Sequence, residues 1–390
     1  MKTTKYWKTT HSIFLKTIIV CMPMLTVAYG QTTSSNTAAN APTLGQVIAA
    51  TPNLQISGYL ASTYDHFNTI PALRAFDTSQ NGFKFNQLAL TTSYLPPTGA
   101  GALVTLIAGS DAKVLRQIET WPPNNGAGQF DVNNAYMQYA SGSMTLMAGK
   151  YNSLAGEEGV NPLVDTNISR SLLFLLMQPA TMTGLRFSYA ANPDLSLVAG
   201  VNNGWDTTSS VQGTSKTLEL GAIGSASNLL SYSAAFYSGQ SPFYGGNPTG
   251  SLQLLDIVAN ITPNALFNIG ANLDFLSKDG AAPGGGKGKA SGAALYLNYN
   301  LTSTLVLSGR GEYIDDKDGL ITGYAGNKLK ELTLSTTYSA TKNLKLSAEI
   351  RQDRVNTVVY ANNIPVIFND GYGAPRSNQT SFEVQAVYAF

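Results

Sequence analysis

The sequence predicts an all-β chain: a transmembrane, antiparallel, up-and-down β-barrel of about sixteen strands. Three observations predict it. Apolar and polar residues alternate with period two from Leu54 to the C-terminus, in segments of about 10–13 residues that suit tilted membrane strands. Only 12% of residues are charged, against about 25% in a typical soluble domain. No apolar run after residue 30 reaches the ~20 residues of a helical span. A barrel reconciles these facts, because one strand face meets lipid and the other meets water.

The chain begins with an export signal. Lys2, Lys5, Lys8 and Lys16 form a basic head, Ile18 to Val27 a short apolar stretch, and Ala28-Tyr29-Gly30 a small-x-small cleavage site. Residues 1–30 are therefore read as a signal peptide and 31–53 as a flexible periplasmic leader, with the barrel over 54–390. Cleavage removes Cys21, the single cysteine, so disulfides and thiolate metal sites are excluded from the mature chain. It also removes four lysines and no acid, leaving 20 basic against 23 acidic side chains, a net charge of −3. Such a surface has no footprint for nucleic acid.

The alternation places strands at 54–67, 83–94, 101–111, 130–140, 143–151, 181–191, 195–205, 216–226, 229–239, 251–261, 265–276, 289–300, 304–314, 328–339, 343–354 and 378–390. Their connections sort by length. Short turns fall at Ser141-Gly142, Asn192-Pro193-Asp194, Thr262-Pro263-Asn264, Thr302-Ser303 and Thr341-Lys342. Long polar connections intervene, among them 112–129, 152–180, 240–250, 277–288, 315–327 and 355–377. Short periplasmic turns alternating with long external loops are the topology of an outer-membrane barrel. Tyr94, Tyr139, Tyr189, Tyr299, Tyr338 and Tyr388 each stand near the end of an even-numbered strand, in phase with its apolar face, as an aromatic girdle requires. The last strand carries Phe382, Val384, Ala386, Tyr388 and Phe390 on one face, the pattern of a closing strand with a terminal aromatic. Closure is obligatory, since an open edge in lipid leaves backbone groups unpaired at several kcal/mol each.

Parity also assigns the lumen. An Arg facing lipid near the midplane costs about 2–4 kcal/mol, so Arg186, Arg310 and Arg351 point inward or sit near the rim. Glu312 shares the face of Arg310, while Lys345, Glu349 and Asp353 share that of Arg351. Glu219, Asn268, Asn272, Asp274 and Asn298 also fall inward, which makes the lumen polar and mixed in sign. Residues 152–180 form the longest loop within the barrel body, and loops of that length are uncommon without a function. The loop carries Glu157, Glu158, Asp165 and Arg170, then the apolar stretch Leu172 to Leu176. Exposed to water that stretch is costly; folded inward it packs on the wall while the acids narrow the pore. The alternative is an external loop packed against other loops or a partner subunit.

This region carries a resemblance. Gly149-Lys150-Tyr151, Asn167-Ile168-Ser169-Arg170-Ser171-Leu172-Leu173-Phe174, Pro179, Thr183-Gly184-Leu185-Arg186 and Gly200-Val201-Asn202-Asn203-Gly204-Trp205-Asp206 are similar to the OmpL-like β-barrel porin-2 family. Ser169-Arg170-Ser171 and Asn203-Gly204-Trp205-Asp206 are the more specific pieces. The resemblance covers 149–206 and implies a porin-like barrel of the outer membrane, with no catalytic residues and no defined substrate. It implies that Arg170 and Arg186 serve one loop–wall arrangement, with an acid from Glu157, Glu158 or Asp165 as the expected partner.

Other chemistry is weakly represented. His66 is the only histidine after the signal, so a serine hydrolase would have to use it, and no Gly-x-Ser-x-Gly elbow is present. Asp315, Asp316 and Asp318 lack the full spacing of a calcium loop. Gly284 to Lys289 lacks the strand–loop–helix context and the following Ser/Thr of a phosphate loop. No cofactor is expected. The expected function is passive diffusion of small hydrophilic solutes or ions through a water-filled lumen narrowed by residues 152–180, with weak cation preference at most. Outer-membrane lipids are the expected surroundings, and the strand number is compatible with a homotrimer. A surface adhesin or receptor with a plugged lumen, and an outer-membrane hydrolase, remain as alternatives.

Overall fold

A computed structural model describes residues 51–119, 128–209, 216–241, 244, 249–356, 367–371 and 374–390. The signal expected at 1–30, and all of the leader up to residue 50, lie outside the described residues.

Sixteen strands close into one barrel. They are β1 (Leu54–Phe67), β2 (Asn81–Tyr94), β3 (Gly99–Ala108), β4 (Phe130–Ser141), β5 (Met144–Asn152), β6 (Thr181–Asn192), β7 (Leu195–Trp205), β8 (Thr217–Ser227), β9 (Leu230–Gln240), β10 (Ser251–Asn264), β11 (Phe267–Lys278), β12 (Gly288–Asn300), β13 (Leu305–Asp316), β14 (Asn327–Ser339), β15 (Leu344–Val355) and β18 (Asn378–Ala389). Each pairs antiparallel with its neighbours along the chain, and β18 returns to β1. Between β15 and β18, β16 (Phe368–Asn369) and β17 (Pro375–Arg376) make a separate small hairpin. Among the described residues two helices occur in connections: α1 (Ser110–Ile118) and α2 (Leu172–Leu176).

Alternation sorts the side chains as expected. Leu185, Phe187, Leu295, Leu332, Leu334 and Ile350 are exposed on the lipid side, whereas Arg310 and Arg351 are only 1% and 0% exposed on the inner side. Tyr94, Tyr139, Tyr189, Tyr338 and Tyr388 stand exposed on the outer face near the short turns, and Tyr299 stacks on Phe267 with ring centroids 4.9 Å apart. The barrel closes at Phe390, whose N–H donates to the Gly58 carbonyl at 2.9 Å while its own carbonyl accepts the Gly58 N–H at 3.0 Å. Gly58 is required there: a Cβ would lie 2.5 Å from both the Phe390 ring and the Ala89 carbonyl.

Two boundaries differ from the sequence reading by three residues. The third strand stops at Ala108, and residues 110–111 belong to α1. Gly109 makes the break, with φ of 127° and a site where a Cβ would sit 2.2 Å from the Asn86 carbonyl. Asp111, Ala112 and Leu115 then bury one side of the helix, a spacing of three and four that a period-two reading misses. The turn expected at Thr262-Pro263-Asn264 is displaced to Ala265 and Leu266, because β10 continues to Asn264, which pairs with Phe267. The register shifts between Ile261 and Asn264, so Pro263 stands at an irregularity of the ladder, where its missing N–H does least harm.

Candidate functional site: a loop anchored across the lumen

The connection from β5 to β6 enters the barrel because its own sequence and the inner wall complement each other. Ser171 starts α2 by accepting the Phe174 N–H at 3.0 Å through its side chain. The helix and the residue after it then bury Leu172, Leu173 and Met177 completely, each worth about 1.5–3 kcal/mol relative to exposure. The socket is Gly292 of β12, where a Cβ would lie 2.3 Å from Leu173 Cδ2 and 2.9 Å from Met177 Sδ. The apolar stretch thus packs on the wall, the first of the two placements its composition allows.

Inward-pointing acids hold the loop backbone. Glu312 accepts the N–H groups of Leu172 at 2.8 Å and Leu173 at 3.1 Å. Glu349 accepts those of Ile168 at 2.6 Å and Ser169 at 3.1 Å. Arginines hold the carbonyls: Arg310 donates to Ser169 O at 2.7 Å and Arg351 to Arg170 O at 2.5 Å. Arg310 also pairs with Glu158 of the loop at 2.6 Å, and Glu158 in turn accepts the Ser171 N–H at 2.6 Å. Farther along, Gln178 donates to Asn272 and Asp274, each at 2.8 Å, and Glu157 accepts from Asn260 at 2.7 Å. On the other side of the barrel, Gln87 of β2 donates to the Val160 carbonyl at 3.0 Å. The loop is therefore tied to β2 at one point and to β10–β15 at several others.

Within the loop, Arg170 pairs with Asp165 at 2.9 Å and donates to the carbonyls of Gly159, Ile168 and Val160. Arg170 thus acts as a hub that fixes the loop's turns. Burial pushes the Asp165 carboxyl up to about 7, against the opposing pull of Arg170. The expected partner of Arg186 needs correction. No acid of the loop reaches it; Glu219 does, through two hydrogen bonds of 2.7 and 2.9 Å, with the guanidinium 4.1 Å from the Tyr151 ring centre. The reason is register: Arg186, Gly200 and Glu219 stand in one row across β6, β7 and β8, and Gly200 offers no side chain to separate them.

Between the loop and β1–β6 lies a cavity of about 360 Å³. Loop residues Val160 and Asn161 line one side, and Tyr59, Thr91, Thr105 and Asn134 the facing wall, with Arg186 at its margin. The candidate residues thus divide. Glu158, Arg310, Glu312, Glu349 and Arg351 meet in one anchoring network; Asp165 and Arg170 brace the loop; Glu157 reaches β10; Arg186 alone borders the cavity. Sequence reading did not single out Tyr59, Thr91, Thr105 and Asn134, because neutral polar residues on an inner face carry no signal until the loop takes a position opposite them. Two further connections turn inward. Arg74, between β1 and β2, pairs with Asp353 at 2.8 Å, and Asp111 of α1 accepts from Gln87 at 2.9 Å. His66 stands exposed on the outer face of β1, away from the lumen.

The family described as "Putative beta-barrel porin-2, OmpL-like" matches residues 53–390, far beyond the motifs at 149–206. No curated protein matches the chain. Among solved structures, the trimer form of OmpT, an outer membrane protein of Vibrio cholerae, is 12% identical with a TM-score of 0.58, over 86% of this chain and 99% of that one. The outer membrane channel DcaP of Acinetobacter baumannii is 13% identical with a TM-score of 0.56, over 86% and 97%. An anion-selective porin from Comamonas acidovorans is 12% identical with a TM-score of 0.56, over 86% and 99%. At such identities these likenesses speak for the fold, while the family match spans the whole of the barrel. The chain belongs to the OmpL-like β-barrel porin-2 family and is a channel-type barrel of the Gram-negative outer membrane.

Proposed function

We propose that this porin passes small hydrophilic solutes or ions by passive diffusion, and that residues 152–180 set its narrowest section. Solutes would cross between the loop and the β1–β6 wall. One observation carries the reading: the loop is tied to both β2 and β10–β15, and the space left beside it is lined by neutral side chains, hydroxyl and amide groups together with Leu103, Met147 and Val160. Glu157, Glu158, Asp165, Arg170, Arg310, Glu312, Glu349 and Arg351 then hold the constriction in place rather than select ions. Arg186, neutralised by Glu219, would bias the passage only weakly. Selectivity follows the narrowest ring, so a nearly neutral ring implies a small reversal potential. The outward position of His66 favours a channel over a hydrolase, since the lumen then has no histidine to serve a serine among the described residues. A homotrimer is the proposed assembly, supported by the likeness to the OmpT trimer form.

The test is planar-bilayer recording of the refolded protein in a KCl gradient, beside a variant lacking residues 156–166. Stable steps, a reversal potential near zero and larger steps after deletion are expected. Folded, heat-modifiable protein that gives no steps would sink the reading and favour a plugged receptor. Unchanged conductance after deletion would remove the loop from the constriction. Mass measurement in detergent reads the assembly.

A further inference from the structure

We infer that the outer face of β11–β15 carries a binding site for a phosphorylated, multiply acylated glycolipid of the outer leaflet. The register builds it in two rows. The upper row on the lipid side runs Leu273, Ala293, Tyr313, Lys330 and Arg354 across five strands. The row beneath runs Leu295, Gly311, Leu332 and Gln352. A cavity of about 770 Å³ opens along these positions. Its floor is Gly311, where a Cβ would meet nothing within 4 Å, flanked by the exposed ridges of Leu295 and Leu332. An acyl chain fits such a trough between apolar ridges.

The upper end is cationic. Lys330 reaches over the Tyr313 ring at 5.9 Å, and Arg354 donates through Nε to Gln352 at 3.1 Å. Both are exposed, and among the described residues neither ion-pairs with an acid. Lys328 adds a third exposed cation one row higher, opposite Asp315. These positions lie at the strand ends that lead into long connections, which is the extracellular side. Tyr313 in the same row marks the interface, where a lipid-facing cation costs little. Adjacent Lys and Arg above an apolar trough complement a phosphate placed above acyl chains, and Arg pairs strongly with phosphate. The site lies on the outside of the wall, so it does not depend on the lumen being open.

The experiment is native mass spectrometry of the full chain in detergent, titrated with hexa-acylated bis-phosphorylated lipid A or its dephosphorylated form. The wild type should retain the phosphorylated form at least about tenfold better, two charge-assisted contacts being ample for that ratio. Lys330→Gln with Arg354→Gln should abolish the preference, and Gly311→Leu should weaken both lipids by filling the trough. Equal retention of the two lipids by the wild type, or an undiminished preference in the charge variant, overturns the site. So does a Gly311→Leu variant that loses self-association with unchanged lipid retention, which would make the trough a contact between copies. If Gly311→Leu does not fold, the exposed charge variant decides alone.

Discussion

Glu349 is the point at which the loop's attachment can be broken most cleanly. Its carboxylate accepts the N–H groups of Ile168 at 2.6 Å and Ser169 at 3.1 Å, and the Ser335 hydroxyl at 2.8 Å. The adjacent Arg351 forms its ion pairs with Glu331 and Asp353, so Glu349→Ala strands no cation. Each buried N–H left without an acceptor costs about 1–3 kcal/mol. Two of them remove about 2–6 kcal/mol from docking of residues 167–170, between about 30-fold and about 10⁴-fold in the docked population. Relief of the like charge on Glu383, its register partner on β18, places the net effect toward the lower end. Glu312 still holds Leu172 and Leu173, so the loop opens locally and does not leave the lumen. Single-channel recordings of Glu349→Ala should show greater current noise and a higher mean conductance, and trypsin should cut at Arg170, which is buried in the wild type. Glu349→Gln, which keeps an acceptor oxygen, should fall between. Wild-type noise together with a protected Arg170 would refute the anchoring argument.

Three other outcomes follow from the same geometry. Gly58→Val places side-chain atoms on the Phe390 ring and the Ala89 backbone, a clash of about 1–3 kcal/mol at the closing strand; the temperature of the heat-modifiability transition on a gel should fall, and an unchanged transition would mean that Phe390 does not close the barrel as described. Leu173→Ala empties the Gly292 socket and should cost about 2–5 kcal/mol of loop docking, read as raised current noise with an intact barrel. Asp165 supplies a pH dependence: its carboxyl is raised from an ordinary 3.8 to about 7, so its contribution is complete below 3.8 and disappears as pH rises through about 7. The loop should therefore be quieter at pH 5 than at pH 8, and Asp165→Asn, neutral throughout, should flatten the difference; a variant that keeps the wild-type dependence would assign it to another group.

The strand pattern was readable because a barrel in lipid imposes one rule on every strand. Leu332 and Leu334 must face out and Glu331 and Thr333 in, so alternation locates a strand without knowledge of its partners. The rule fails where packing follows another period. Helix α1 buries Asp111, Ala112 and Leu115 at helical spacing, and Pro263 marks an irregularity within β10, not the turn it suggests in isolation. The pairing of Arg186 was out of reach for a different reason. It depends on Gly200 and Glu219 standing in the same row, and register is a relation between strands that no one strand encodes.

By itself the sequence determined the strand count, the lipid and lumen faces, the alternation of short and long connections, and the inward arginines. Each follows from local periodicity or from the energy of placing one residue in lipid. Only the tertiary structure decided where residues 152–180 lie, because that depends on many groups distant in the chain meeting at hydrogen-bond distance. Glu312 and Glu349 find the N–H groups of Leu172, Leu173, Ile168 and Ser169 more than a hundred residues away, and Gly292 opens the socket that Leu173 fills. The loop's composition favours burial without naming a direction; the inner wall supplies the direction, through acids and arginines that bond the backbone of this loop.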